Sequence, residues 1–101
     1  MPAALAVDVN QVGAPLGAIT LSGTPQEVEF TMDQRLNGVV QVLAIDADGT
    51  PVGFLYSTSA AGLQTLVPAG SGVKLPVSGT QSWWFEQDTS AAPTLQLTCV
   101  G

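Results

Sequence analysis

The sequence predicts an all-β fold: an antiparallel β-sandwich, jelly-roll-like or closed into a compact barrel, of about eight to nine short strands. Three observations carry this. Apolar residues recur at spacing two, Gly, Pro, Asn or Asp interrupts them every seven to twelve residues or so, and no stretch of about ten residues keeps a helical period. A chain of 101 residues makes one domain that buries roughly two-thirds of its unfolded surface. Residues 1–101 are therefore read as a single sandwich domain, with residues 1–25 an N-terminal arm plus the first strands.

Leu5, Val7 and Val9 alternate with Ala6 and Asp8, and Ile19 and Leu21 alternate with Thr20 and Ser22, between loops marked by Gly13, Pro15, Gly23 and Pro25. From Gln26 to Asp33, Val28, Phe30 and Met32 face one way and Glu27, Glu29, Thr31 and Asp33 the other; a slip of one residue would bury three carboxylates. Asn37-Gly38 makes a turn into Val39–Ile45, which is apolar except for Gln41 and so belongs to a central strand or to one that a partner covers. Asp46 to Pro51 reads as a hairpin turn, with Gly49 able to take positive φ, leading to the strand Val52–Tyr56. Leu63–Val67 follows. Then comes Val73–Val77, where Pro76 cannot donate to a ladder and marks an edge or bulge. Gly79 turns the chain into Gln81–Gln87, and Thr94–Val100 closes the fold.

Charged residues are only 10% of the chain, so the surface is built largely from Ser, Thr, Gln and Gly. The net charge of −6 has the wrong sign for neutralising phosphates or holding an anionic membrane, which argues against nucleic-acid and membrane partners. No segment reaches the roughly 18 continuous apolar residues of a membrane span. The single cysteine, Cys99, shares its face with Leu95 and Leu97 and is expected to be buried and inert. The first residues lack a basic start and a long apolar stretch, so no export signal is expected. Neither Asn10 nor Asn37 begins a glycosylation motif. Folding in a reducing cytosol fits these features.

With no histidine, the Ser-His-Asp and Cys-His nucleophile pairs and the usual zinc ligands are missing, and no enzymatic activity or cofactor is expected. Ser71-Gly-Val-Lys74 matches an S-x-x-K pattern in name only, because its companion elements are missing. Glu27 and Glu29 share one strand face, where solvation explains them better than glycosidase chemistry. Asp46, Asp48 and Gly49 imitate the start of a calcium loop, but a hairpin turn explains the same residues and no metal is expected. Trp83-Trp84-Phe85 is the unusual feature, since three successive aromatics on a strand cannot enter one core. With Trp83 and Phe85 inward, Trp84 faces out as a candidate partner contact, unless another part of the chain covers it. Tyr56 is a second candidate platform, and Val39, Gln41 and Leu43 are candidate contacts on the apolar strand.

The runs Val28-Glu-Phe-Thr-Met32, Val39–Ile45, Leu66–Leu75, the tryptophan strand and Thr94–Val100 together resemble, as a pattern over residues 26–100, the small all-β decoration or cement proteins of tailed-phage heads, many of them jelly-roll-like. The resemblance implies a non-enzymatic virion protein, made in the host cytoplasm and bound on the capsid exterior. Its partners would be the major capsid protein and copies of itself in a dimer or trimer, with the residues before Pro25 reaching along the shell. A carbohydrate- or receptor-binding module of a tail fibre or similar assembly, stacking a sugar on Trp84 or Tyr56, is the alternative.

Overall fold

A computed structural model describes residues 4–9, 15–32, 38–59, 64–89 and 92–100. Gly13, Asp33, Asn37 and Leu63 lie outside the described residues. Among the described residues ten strands run in chain order: β1 (Leu5–Asp8), β2 (Pro15–Thr20), β3 (Gln26–Thr31), β4 (Gly38–Ile45), β5 (Pro51–Val52), β6 (Phe54–Ser57), β7 (Thr65–Val67), β8 (Val73–Val77), β9 (Thr80–Gln87) and β10 (Thr94–Cys99). The first sheet has the order β1-β3-β9-β6-β7. In the second, β2-β10-β4, the far edge of β4 is shared by β8 beside Gly38–Val42 and by β5 beside Ala44–Ile45.

With β1 and β5 set aside, the two sheets read β3-β9-β6-β7 and β2-β10-β4-β8. This is the strand order of an eight-stranded jelly roll, in which most connections pass from one sheet to the other. The strand count exceeds the expected eight or nine because the segment Val52–Tyr56 is broken at Gly53. There the chain leaves the second sheet and joins the first. An ideal Cβ on Gly53 would stand 3.0 Å from the carbonyl oxygen of Val67, so the crossing brings backbone close to backbone where a side chain would be crowded. One pairing departs from the antiparallel expectation: β1 runs parallel to β3, with Leu5 opposite Val28 and Asp8 opposite Thr31. The chain travels out along β2 in the opposite sheet before it returns, so β1 and β3 point the same way. The segment before Pro25 thus supplies β1 to the first sheet and β2 to the second, each paired with a neighbouring strand.

The alternation read from the sequence is the burial pattern of the sandwich. Val28, Phe30 and Met32 are buried from β3 and its end, Val40, Val42 and Ala44 from β4, Trp83 and Phe85 from β9, and Leu95, Leu97 and Cys99 from β10. All belong to one cluster filled from both sheets, each large side chain contributing roughly 1.5–3 kcal/mol by leaving water. Trp83 meets Phe30 edge to face at 5.8 Å, and Phe54 lies tilted against Phe85 at 6.2 Å. Cys99 is buried, its thiol directed at the Val9 carbonyl at 3.9 Å. Pro76 sits on β8, which among the described strands pairs with β4 alone, an edge position that suits a residue without an N–H.

The hairpin between β4 and β5 is built by one carboxylate. Oδ1 of Asp46 accepts the amides of Asp48 and Thr50, both at 2.9 Å, while the Asp46 amide donates to the Thr50 carbonyl and Gly49 takes a φ of 82°.

Candidate functional site

Strand parity gives each sheet one face in the core and one facing out, so candidate contacts must lie on the two outward faces or at the ends. On the first sheet, register places Trp84 of β9 directly between Glu27 of β3 and Ser57 of β6. Side chains so opposed stand about 4.5–5.5 Å apart at Cβ. The indole occupies the middle of the face and is half-buried. Its Nε1 is buried with no hydrogen-bond acceptor, so an N–H donor is held away from water without compensation.

Carboxylates surround this ring. Glu29 lies opposite Ser82 and Glu86 opposite Leu55, while Asp8 lies on the flanking strand opposite Thr31. Two of them are anchored: the Ser82 hydroxyl donates to Oε2 of Glu27 at 2.8 Å, and the Gln64 amide donates to Oε1 of Glu86. Leu55 and Leu66 stand opposite each other at the β7 edge of the same face, with Leu66 53% exposed. Four of the eight acidic residues of the chain therefore share one sheet face with a central tryptophan.

The second sheet presents a different surface. Thr94 lies opposite Ile45, Gln96 opposite Leu43 and Thr98 opposite Gln41. Ala18 and Thr20 continue these rows onto β2, and Lys74 and Pro76 continue them onto β8. No described strand residue on this face is acidic. Val39, Leu43 and Ile45 are half-buried. Leu43 is closed over by the chain entering β8, where a Cβ on Gly72 would come within 2.5 Å of its Cδ2. The apolar run Val39–Ile45 is thus central in its sheet, with its inner positions in the core and its outer positions partly shielded by the same chain.

The five contact residues read from the sequence fall in three places. Trp84 faces out on the first sheet, and Val39, Gln41 and Leu43 face out on the second, on the other side of the molecule. Tyr56 lies opposite Phe85 and packs, half-buried, against the core, so it shares no face with Trp84 and makes no joint platform with it. The parity of a strand bending out of another sheet at Gly53 could not be counted from the sequence. Sequence reasoning also passed over Leu55, Leu66 and Glu86. That Glu86 shares Trp84's parity on β9 was readable, but that both face Glu27 and Glu29 depends on which strands pair.

The remaining motifs resolve as local structure. Asp46 already spends an oxygen on two amides, Ser71 lies in a turn with its amide on the Pro68 carbonyl, and Lys74 is exposed on strand β8 and not on a helix. Among the described residues no group of three or more His, Cys, Asp or Glu side chains is gathered to hold a metal ion. No family model matches the chain, and no curated protein matches it.

Proposed function

We propose that this chain is a non-enzymatic structural protein of a virion, decorating and cementing the outside of a phage capsid by bridging coat subunits. The observation that supports this most directly is the half-buried indole of Trp84 at the centre of a sheet face, ringed by Glu27, Glu29 and Glu86. A rigid aromatic ring inside a polar rim is the make-up of a protein-interface anchor. Carboxylates around it suit a coat surface that presents arginine or lysine, since a guanidinium can stack on an indole while pairing with a neighbouring carboxylate. The supply of charge fits the same reading: a low-charge surface with few long flexible side chains loses little entropy when covered.

The test is occupancy on particles. In a density gradient of phage heads the chain should travel with the shell in many copies, and cryo-EM should place it outside. Trp84→Ala should lose at least tenfold in occupancy while still folding. A chain that never leaves the top of the gradient, or a Trp84→Ala variant that fills the shell like wild type, overturns the assignment or its contact. A second reading, a carbohydrate- or receptor-binding module, is favoured by Ser82 and Glu27 standing beside the same indole, where they could hydrogen-bond a stacked sugar. Binding of the isolated chain to a glycan array would select it.

A further inference from the structure

We infer that the partner segment seated on the outward face of the first sheet is two-ended: an arginine over β3 and an apolar side chain over β7, about 14 Å apart, with Trp84 between them. The inference deepens the reading of the Trp84 face as the partner contact and rests on it, but not on the partner's being a coat protein.

The face is divided along β9. On one side Glu27 lies directly opposite Trp84, and Glu29 lies opposite Ser82, two residues back along β9. On the other side Leu55 and Leu66 stand opposite each other on β6 and β7, and Leu66, at 53%, is the most exposed large apolar side chain among the described residues. Glu86, next to Leu55, is engaged by the Gln64 amide. Two carboxylates and an apolar pair therefore flank one indole.

What each half lacks defines its occupant. Glu27 accepts from the Ser82 hydroxyl, a neutral donor that leaves the carboxylate charge in place. The one described lysine or arginine, Lys74, lies on β8 of the other sheet. Covering Glu27 and Glu29 thus requires a cation brought from outside. With Nε1 buried, Trp84 offers a partner ring carbon and no donor. A planar, weakly hydrated guanidinium lies on such a ring and still directs N–H groups at a carboxylate beside it, which a compact, strongly hydrated ammonium does less well. Leu66 gains from being covered when the covering side chain is itself apolar.

Spacing sets the length of the occupant. From β3 to β7 is three strand intervals, roughly 14 Å at about 4.8 Å each. An extended chain laid across the strands covers this in about four residues at roughly 3.3 Å each, and residues i and i+4 share a side, so both ends face the sheet. The residue midway also faces down, beside the indole, and must be small. The pattern is an arginine, three residues with a small one in the middle, then a leucine or its like.

The probe is acetyl-Arg-Gly-Ser-Gly-Leu-amide, titrated into the nitrogen-15-labelled chain at about 20 mM salt and followed by amide and indole shifts. Shifts should gather on β3, β9 and β7 with a dissociation constant of about 1–5 mM. Binding should be at least fivefold tighter than that of acetyl-Arg-Gly-Leu-amide, whose ends cannot reach both halves, or of the pentapeptide with glutamate for arginine. Lysine for arginine should weaken it at least twofold. Leu66→Ser and Glu29→Gln, both outside the core, should each weaken it at least threefold, and Gln96→Ala on the other sheet should not. Equal binding of the two spacings overturns the inference, as does a glutamate or lysine peptide that binds as well. Shifts on the second sheet, or none anywhere, do the same. A chain that fills phage shells through Trp84 yet ignores the pentapeptide would sink this pairing and leave the capsid reading standing. One that binds the pentapeptide but never travels with a shell would do the reverse.

Discussion

Trp83 and Trp84 are chemically identical neighbours, and the fold assigns them opposite fates that a melting experiment can separate. Trp83 is 7% exposed and edge to face with Phe30. Trp83→Ala removes a buried indole, at about 3–5 kcal/mol, and an aromatic pair worth about 1 kcal/mol beyond its area. In a domain of this size each kilocalorie moves the melting midpoint by about 4–8 °C, so a loss near 4 kcal/mol is a fall of roughly 15–30 °C. Trp84 is half-buried, and its Nε1 donor has no acceptor. Trp84→Phe keeps most of the ring and deletes the uncompensated N–H, so the midpoint should hold within a few degrees or rise. Trp84→Ala, which exposes a pocket on a wet face, should cost an intermediate ~1–2 kcal/mol. Circular dichroism melts of the three variants decide the matter. If Trp83→Ala melts within about 5 °C of wild type, or Trp84→Phe falls as far as Trp83→Ala, the register of β9 against β3 is wrong.

Three further perturbations probe the connections. Asp46→Ala should lower stability by about 1 kcal/mol, because two backbone amides lose their acceptor in an exposed turn. Calcium or a chelator should leave the wild-type melt unchanged, and a midpoint raised many degrees by millimolar calcium would make Asp46 a cation ligand instead. Gly53→Ala should cost about 1–3 kcal/mol, since its new methyl crowds the carbonyl oxygen of Val67, a backbone atom that cannot swing aside as a side chain would; a melt equal to wild type would mean the crossing relaxes.

What was legible in the sequence follows from what period two can encode. The inward sets Val28-Phe30-Met32 and Leu95-Leu97-Cys99 and the outward Glu27 and Glu29 are written as alternation within single strands, and the structure keeps them. So is Trp84 facing away from Trp83 and Phe85. The hairpin at Asp46 and the edge position of Pro76 were readable because their chemistry is local. Pairing was not, since alternation says nothing about which strand lies beside which. Hence the neighbours of Trp84, the parallel β1 and the position of Tyr56 came only with the topology. The break at Gly53 was hidden for another reason: a glycine within an apolar run signals close approach without saying to what.

The carboxylates around Trp84 carry a last prediction, because they fix how the contact proposed for that face responds to salt. Burying a carboxylate costs several kilocalories per mole unless a cation replaces its water, whereas burying an amide or hydroxyl that finds a partner costs far less. The face around Trp84, with Glu27, Glu29 and Glu86, can therefore be covered only by a partner that brings positive charge. Ion pairs at an interface rim weaken as the Debye length shrinks, from about 10 Å at 0.1 M salt to about 3 Å at 1 M, while apolar contact does not. Binding to a shell should thus fall at least tenfold between 0.1 and 1 M sodium chloride. Salt-insensitive shell binding would take the carboxylates around Trp84 out of the interface.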